Sequence, residues 1–144
     1  MEGYFPDELK IAEMIAIFKE GDREDANNYR PISILTVISK IFEKHLYNEL
    51  TTYAENNNLI SPHQWGFTRG VSTDVAIAKL MEKVYGGLNE GQFGVGVFLD
   101  LEKAFDLVDR SILVEKLKVY GVLGTEITLF TSFLANRKNV YRKL

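Results

Sequence analysis

The 144-residue sequence contains no cysteine, which excludes a disulfide scaffold and any thiolate metal site. Its two histidines, His45 and His63, are isolated, so a zinc centre lacks ligands and any metal would be held by oxygen. No apolar run approaches the roughly 20 residues that a membrane span needs. The opening, Met1 to Glu8, carries acidic residues where a secretory leader needs basic and then apolar ones. These absences point to an intracellular, soluble protein, without separating nucleus from cytoplasm. Charge of neither sign is in excess: 17 Lys and Arg against 20 Asp and Glu leave a net charge of -3. That balance argues against a domain that grips nucleic acid by bulk electrostatics. The distribution is uneven, with Glu20, Asp22, Glu24 and Asp25 near the start and Arg137, Lys138, Arg142 and Lys143 at the end. A basic groove and a solvated strand edge both account for the second cluster.

What is present suits one globular core: 46% hydrophobic and 12% aromatic residues in a chain of single-domain size. After a short polar opening, Ile11 to Lys19 reads as a mostly apolar strand, and Tyr29 to Leu35 resumes in extended form after a charged loop. Pro31 keeps Arg30 out of helical geometry and withholds a ladder donor, which makes this second strand an edge. The pair forms a hairpin with a long charged tip flanked by two cations, Lys19 and Arg30. From Thr36, an N-cap candidate, the period turns helical: Val37, Ile38, Ile41, Phe42, Leu46, Leu50 and Tyr53 form a stripe expected in the core. Asn56 to Asn58 end that helix. The turn from Gln64 to Thr73 enters a second helix at Ser72 or Thr73, with Val75, Ala76, Leu80, Val84 and Leu88 on its apolar face. Its glycines allow either a tight turn or a backbone approach to phosphate. Asp109 or Ser111 caps a third helix that Gly121 stops. A fourth runs from about Thr125 to Leu134, and Asn139 to Arg142 begins a strand with no partner in the sequence that follows.

Between the second and third helices lies a glycine-punctuated apolar run, Gly94 to Leu99, that ends on Asp100. Its β-branched and aromatic content favours a buried strand. A buried carboxylate needs donors, a cation or water, so Asp100 is a metal-ligand candidate, with a helix cap or a loop ion pair as the plainer alternatives. The poor strand formers Glu102 and Lys103 predict a turn after Leu101. In an extended chain Asp106 would stand about 20 Å from Asp100, too far to share one ion.

Four blocks in order resemble the reverse transcriptase domain of non-long-terminal-repeat, LINE-like retrotransposons, and most of all its jockey-like members: Asn28 to Leu35, Ser39 to Lys44, Gln64 to Phe67, and Phe98 to Asp106. The resemblance covers nearly the whole chain. It implies an α+β fold, with fingers over about 1–92 and the start of an antiparallel palm sheet over about 93–144, truncated. It also implies RNA-directed DNA polymerase activity, with an RNA template, a DNA primer and deoxynucleotide triphosphates as partners and no membrane. Asp100 then matches the first catalytic aspartate, which with the Leu101 backbone carbonyl binds magnesium, or manganese in its place. Phe105 matches the bulky residue that screens the sugar 2′ position, and Lys19 and Arg30 match fingers cations that grip the triphosphate. Gln64, Arg69, Arg137 and Lys138 would face nucleic acid.

The sequence also departs from that pattern. Thr68 and Val71 stand where many members have arginine. No Asp-Asp pair occurs anywhere, and the Pro-Gln-Gly block, a thumb and an endonuclease are absent. The expectation is a polymerase fragment that is inactive alone, the alternative being a non-catalytic retroelement remnant that binds nucleic acid or has no function. A phosphatase using Asp100 as nucleophile would need an aspartate at position 102, which is Glu.

Overall fold

The computed structural model describes residues 3–101 and 104–141. The chain is α+β and divides into two compact units, one of residues 1–51 and 108–144, the other of residues 52–107.

In the first unit, strands β1 (Ile11–Phe18) and β2 (Tyr29–Ile34) pair antiparallel with Phe18 opposite Tyr29 and Ala16 opposite Pro31. β2 is an edge, as Pro31 requires. The other edge is β3 (Lys138–Tyr141), which runs parallel to β1 with Ile11 opposite Lys138 and Met14 opposite Tyr141. The last strand therefore does have a partner, contrary to expectation, and the sheet is mixed, ordered β2-β1-β3. Its partner lies 127 positions away, a pairing that no local pattern could announce. Arg142 lies outside the described residues.

Helix α1 (Val37–Asn56) begins at Thr36, whose Oγ1 accepts from the Ser39 N–H at 3.2 Å. It ends on Asn58, a left-handed residue at φ 53°. There the Leu59 and Asn58 N–H groups reach back to the Ala54 and Glu55 carbonyls, closing the helix end in a Schellman pattern. Helix α3 (Arg110–Val119) closes the same way, with Gly121 at φ 91° and the Val122 N–H on the Leu117 carbonyl. Helix α4 (Gly124–Leu134) leads to Asn136, again left-handed.

The opening is not a polar lead-in. Phe5 is 2% exposed, its ring edge-on to Phe133 at 5.0 Å and to Phe42 at 6.2 Å. Its N–H donates to Ser132 Oγ at 3.0 Å, and buried Ser39 donates to the Leu9 carbonyl at 2.9 Å. Gly3, at φ 57°, lies so close to the Thr125 carbonyl that a Cβ there would sit at 2.9 Å from it. Lys10 is also buried, with its ammonium 2.6 Å from Asp7 Oδ1 and over the Tyr4 ring. Residues 3–10 thus tie α1 to α4.

The apolar stripe of α1 is only partly core. Leu46 is buried, whereas Val37, Ile38, Ile41 and Phe42 are exposed. Helical period marks a face, but burial needs a second layer against it.

In the second unit, helix α2 (Thr73–Asn89) starts at Ser72, whose Oγ accepts from the Val75 N–H, and ends on Gly91 at φ 72°. None of its described residues is buried; Val75, Leu80, Val84 and Leu88 are exposed. The expected buried strand over Gly94 to Leu99 does not form either. Residues 92–101 are irregular, and Val95, Val97, Phe98 and Leu99 are exposed. A strand is stabilised by the ladder on its flanks, and none of the three strands of the sheet pairs with this segment. The turn expected at Glu102 and Lys103 lies outside the described residues.

Candidate functional site

Lys19, Arg30, Arg137 and Lys138 belong to the first unit, and Gln64, Arg69, Asp100, Leu101 and Phe105 to the second. In the hairpin, the Lys19 N–H donates to the Asn28 carbonyl at 2.8 Å, extending the ladder one pair beyond Phe18 and Tyr29. Side chains alternate along a strand, so Lys19 lies on the same face as Ile17, whose cross-strand partner is Arg30. Phe18 and Tyr29 take the opposite face, their rings 5.5 Å apart. Both cations are exposed, and among the described residues neither side chain makes an ion pair or hydrogen bond. The tip behind them is tied by its own bonds: Asn28 Nδ2 to the Asp22 carbonyl and the Tyr29 hydroxyl to the Arg23 carbonyl, each 2.8 Å.

The two C-terminal cations differ from each other. Arg137 donates from Nη2 to Glu43 Oε1 at 2.7 Å and from Nε to the Phe133 carbonyl at 3.1 Å, with its guanidinium over the Phe133 ring. It is a clamp between the end of α4 and α1. Lys138 is exposed and lines an open groove with Arg137, Asn136, Ile11, Asp7 and Glu8. The two acids there oppose phosphate binding in the groove itself.

In the second unit, Gln64 and Arg69 are exposed at either end of a tight turn. Thr68 spends its hydroxyl on the Gln64 carbonyl at 2.9 Å, which ties the turn to itself. Phe67, left-handed at φ 59°, meets Phe105 edge-on with ring centroids 5.6 Å apart and planes at 81°. The sequence showed Phe67 within a motif, but nothing in its spacing connects it to Phe105.

Asp100 and Leu101 are exposed in the irregular segment. The resemblance implies that divalent metal ions are used. Among the described residues no three His, Asp or Glu side chains gather into a ligand set, and one exposed carboxylate with one carbonyl does not by itself fit a magnesium pair. Asp109 is otherwise employed. It accepts from Ser111 Oγ at 2.5 Å and from the Ser111 and Ile112 N–H groups, capping α3. The Ser111 hydroxyl, then those two N–H groups, hold its carboxyl below its ordinary pKa. No helix among the described residues is long and apolar enough to cross a membrane.

Residues 17–143 match the family described as Reverse transcriptase (RNA-dependent DNA polymerase), and the chain belongs to that family. It is 31% identical over 146 residues to the probable RNA-directed DNA polymerase from transposon BS of Drosophila melanogaster, an alignment covering 96% of this chain and 15% of that protein. It is 33% identical over 117 residues to the RNA-directed DNA polymerase from mobile element jockey of the same organism, covering 81% of this chain and 13% of that one. Against the Pol polyprotein of the type-1 element R1 of Bradysia coprophila, identity is 31% over 143 residues, 98% of this chain and 14% of that one. The non-long-terminal-repeat relationship expected from the four motif blocks holds. The chain spans about one seventh of the length of these relatives.

Proposed function

We propose that this chain supplies the nucleotide-facing fingers, about 1–92, and the first palm segment, about 93–144, of an RNA-directed DNA polymerase that copies an RNA template from a DNA primer. The observation that carries the reading is the hairpin: Lys19 and Arg30, exposed and without side-chain partners among the described residues, share one face at the base of a self-bonded tip. Two cations so placed suit a triphosphate, since charge-assisted hydrogen bonds to phosphate oxygens are about twice as strong as neutral ones. Phe105 screens the sugar by size, its ring filling the space that a ribose 2′-hydroxyl would need. Asp100, with the Leu101 carbonyl, is one part of a magnesium or manganese ligand set that the described residues do not complete. Gln64, Arg69 and Lys138 contact nucleic acid, and Arg137 acts from its clamped position on Glu43.

The test is titration of the chain with a fluorescent deoxynucleotide triphosphate. Lys19→Ala and Arg30→Ala should each weaken binding about tenfold, as loss of one charged hydrogen bond predicts; affinity indifferent to both sinks the reading. With one carboxylate of the metal set, the chain alone should not extend a primer on RNA. Extension that is abolished by Asp100→Ala would overturn that expectation.

A further inference from the structure

Phe67 is an aromatic residue where glycine or asparagine would be at ease. At φ 59° its Cβ crowds the backbone, a conformation that a bulky side chain holds only when the surroundings impose it. The imposing elements are local. Gly66 precedes it, Gly70 follows at φ 74°, and the Thr68 hydroxyl binds the Gln64 carbonyl at 2.9 Å and the Gly66 carbonyl at 3.4 Å. The strained turn does not bury the ring, because Phe67 is 86% exposed. What it does is set the ring edge-on against Phe105, itself 76% exposed in the turn at 104–107 and 38 positions away. Two largely solvated rings contribute little to a core. Their contact is better explained by what it fixes, the direction of the Phe105 side chain.

We infer that Phe67 is a positioning residue for sugar selection: it braces the Phe105 ring so that a deoxyribose is accepted and a ribose 2′-hydroxyl is refused. The inference rests on the reading of Phe105 as the sugar screen. An unbraced phenylalanine on a turn samples several rotamers, and only some of them occupy the space next to the sugar. The edge-to-face contact biases that choice by an amount that corresponds to about a two- to tenfold change in population.

The test uses the 144-residue chain, with dATP and ATP as probes and the ratio of their dissociation constants as the readout. The unaltered chain should favour dATP, and Phe105→Ala should abolish the preference. Phe67→Asn, which tolerates the left-handed backbone and removes the ring, should lower the preference about two- to tenfold. Phe67→Tyr should restore it. Lys19→Ala should weaken both nucleotides equally and leave the ratio alone. Nuclear Overhauser contacts between the two rings should be present in the unaltered chain. A preference lost in Phe105→Ala but intact in Phe67→Asn overturns the bracing role alone, as does absence of the ring-to-ring contacts. A preference insensitive to Phe105→Ala, or a chain that binds neither nucleotide, overturns the sugar-screen reading and the brace with it.

Discussion

Phe5→Ala removes the most enclosed aromatic side chain described in the protein, and the structure sets the size of the loss. The ring is 2% exposed and touches Phe133 and Phe42 edge-on, at 5.0 and 6.2 Å. Truncating a buried phenylalanine to alanine costs about 3–5 kcal/mol in transfer and cavity terms. The two ring contacts account for about 1–3 kcal/mol of that, at roughly 0.5–1.5 each. Domains have about 0.05–0.15 kcal/mol of stability per residue, so a unit of some 90 residues has on the order of 5–13 kcal/mol in all. The substitution should therefore remove about a quarter or more of it. Urea unfolding followed by far-ultraviolet circular dichroism reads the loss: with a slope of about 1–3 kcal/mol/M, the midpoint should fall by more than about 1 M. Phe93→Ala, at a fully exposed ring, serves as control and should shift stability by less than about 0.5 kcal/mol. A Phe5→Ala loss below about 1 kcal/mol would refute the view that residues 3–10 tie α1 to α4.

Glu43→Ala should destabilise the first unit by about 1–3 kcal/mol, because the Arg137 guanidinium, 22% exposed, is left without its carboxylate; Glu43→Gln should recover part of this in the same unfolding experiment, and a neutral Glu43→Ala would contradict the clamp. The Asp109 carboxyl should titrate below its ordinary range in a carbon-13 NMR titration. Because the folded pKa is the lower one, the cap's contribution is complete above the unfolded-state value and is lost as pH falls through the folded one. Amide exchange at Ser111 and Ile112 should quicken across that window, and an Asp109 pKa at or above the ordinary value would refute the capping account.

The local devices of this fold are legible in the chain. Pro31 announces an edge strand, Thr36 and Ser72 announce helix starts, and Gly121 announces a stop, because each acts through its own backbone neighbours. The long-range ones are not. A single phenylalanine in a non-periodic opening gives no sign that it will fill the space between α1 and α4. Nor does Lys138 to Tyr141 signal that it will lie parallel to a strand at the other end of the chain. The candidate site divides along the same line. Lys19 and Arg30 share a face because two adjacent strands pair, which alternation foretells, whereas the approach of Phe67 to Phe105 depends on a strained turn that no spacing records.

Asp100 shows where that division bears on chemistry. Its segment has a strand's composition, yet composition supplies only side chains fit for a pleated surface, and the strand itself is a property of the ladder that flanks it. The three-stranded sheet is built entirely from the first unit, and Gly94 to Leu101 takes no place in it. Without a ladder the run leaves Phe98 and Leu99 in solvent and Asp100 on an irregular backbone, outside any group of three or more potential metal ligands among the described residues. A metal ligand must be held in place before it can bind tightly, since ordering it at the moment of binding offsets part of the affinity. For the metal-binding role proposed for Asp100, both observations act in one direction: a ladder against Gly94 to Leu101 would order the carboxylate, and further carboxylates beside it would raise its affinity for a divalent ion.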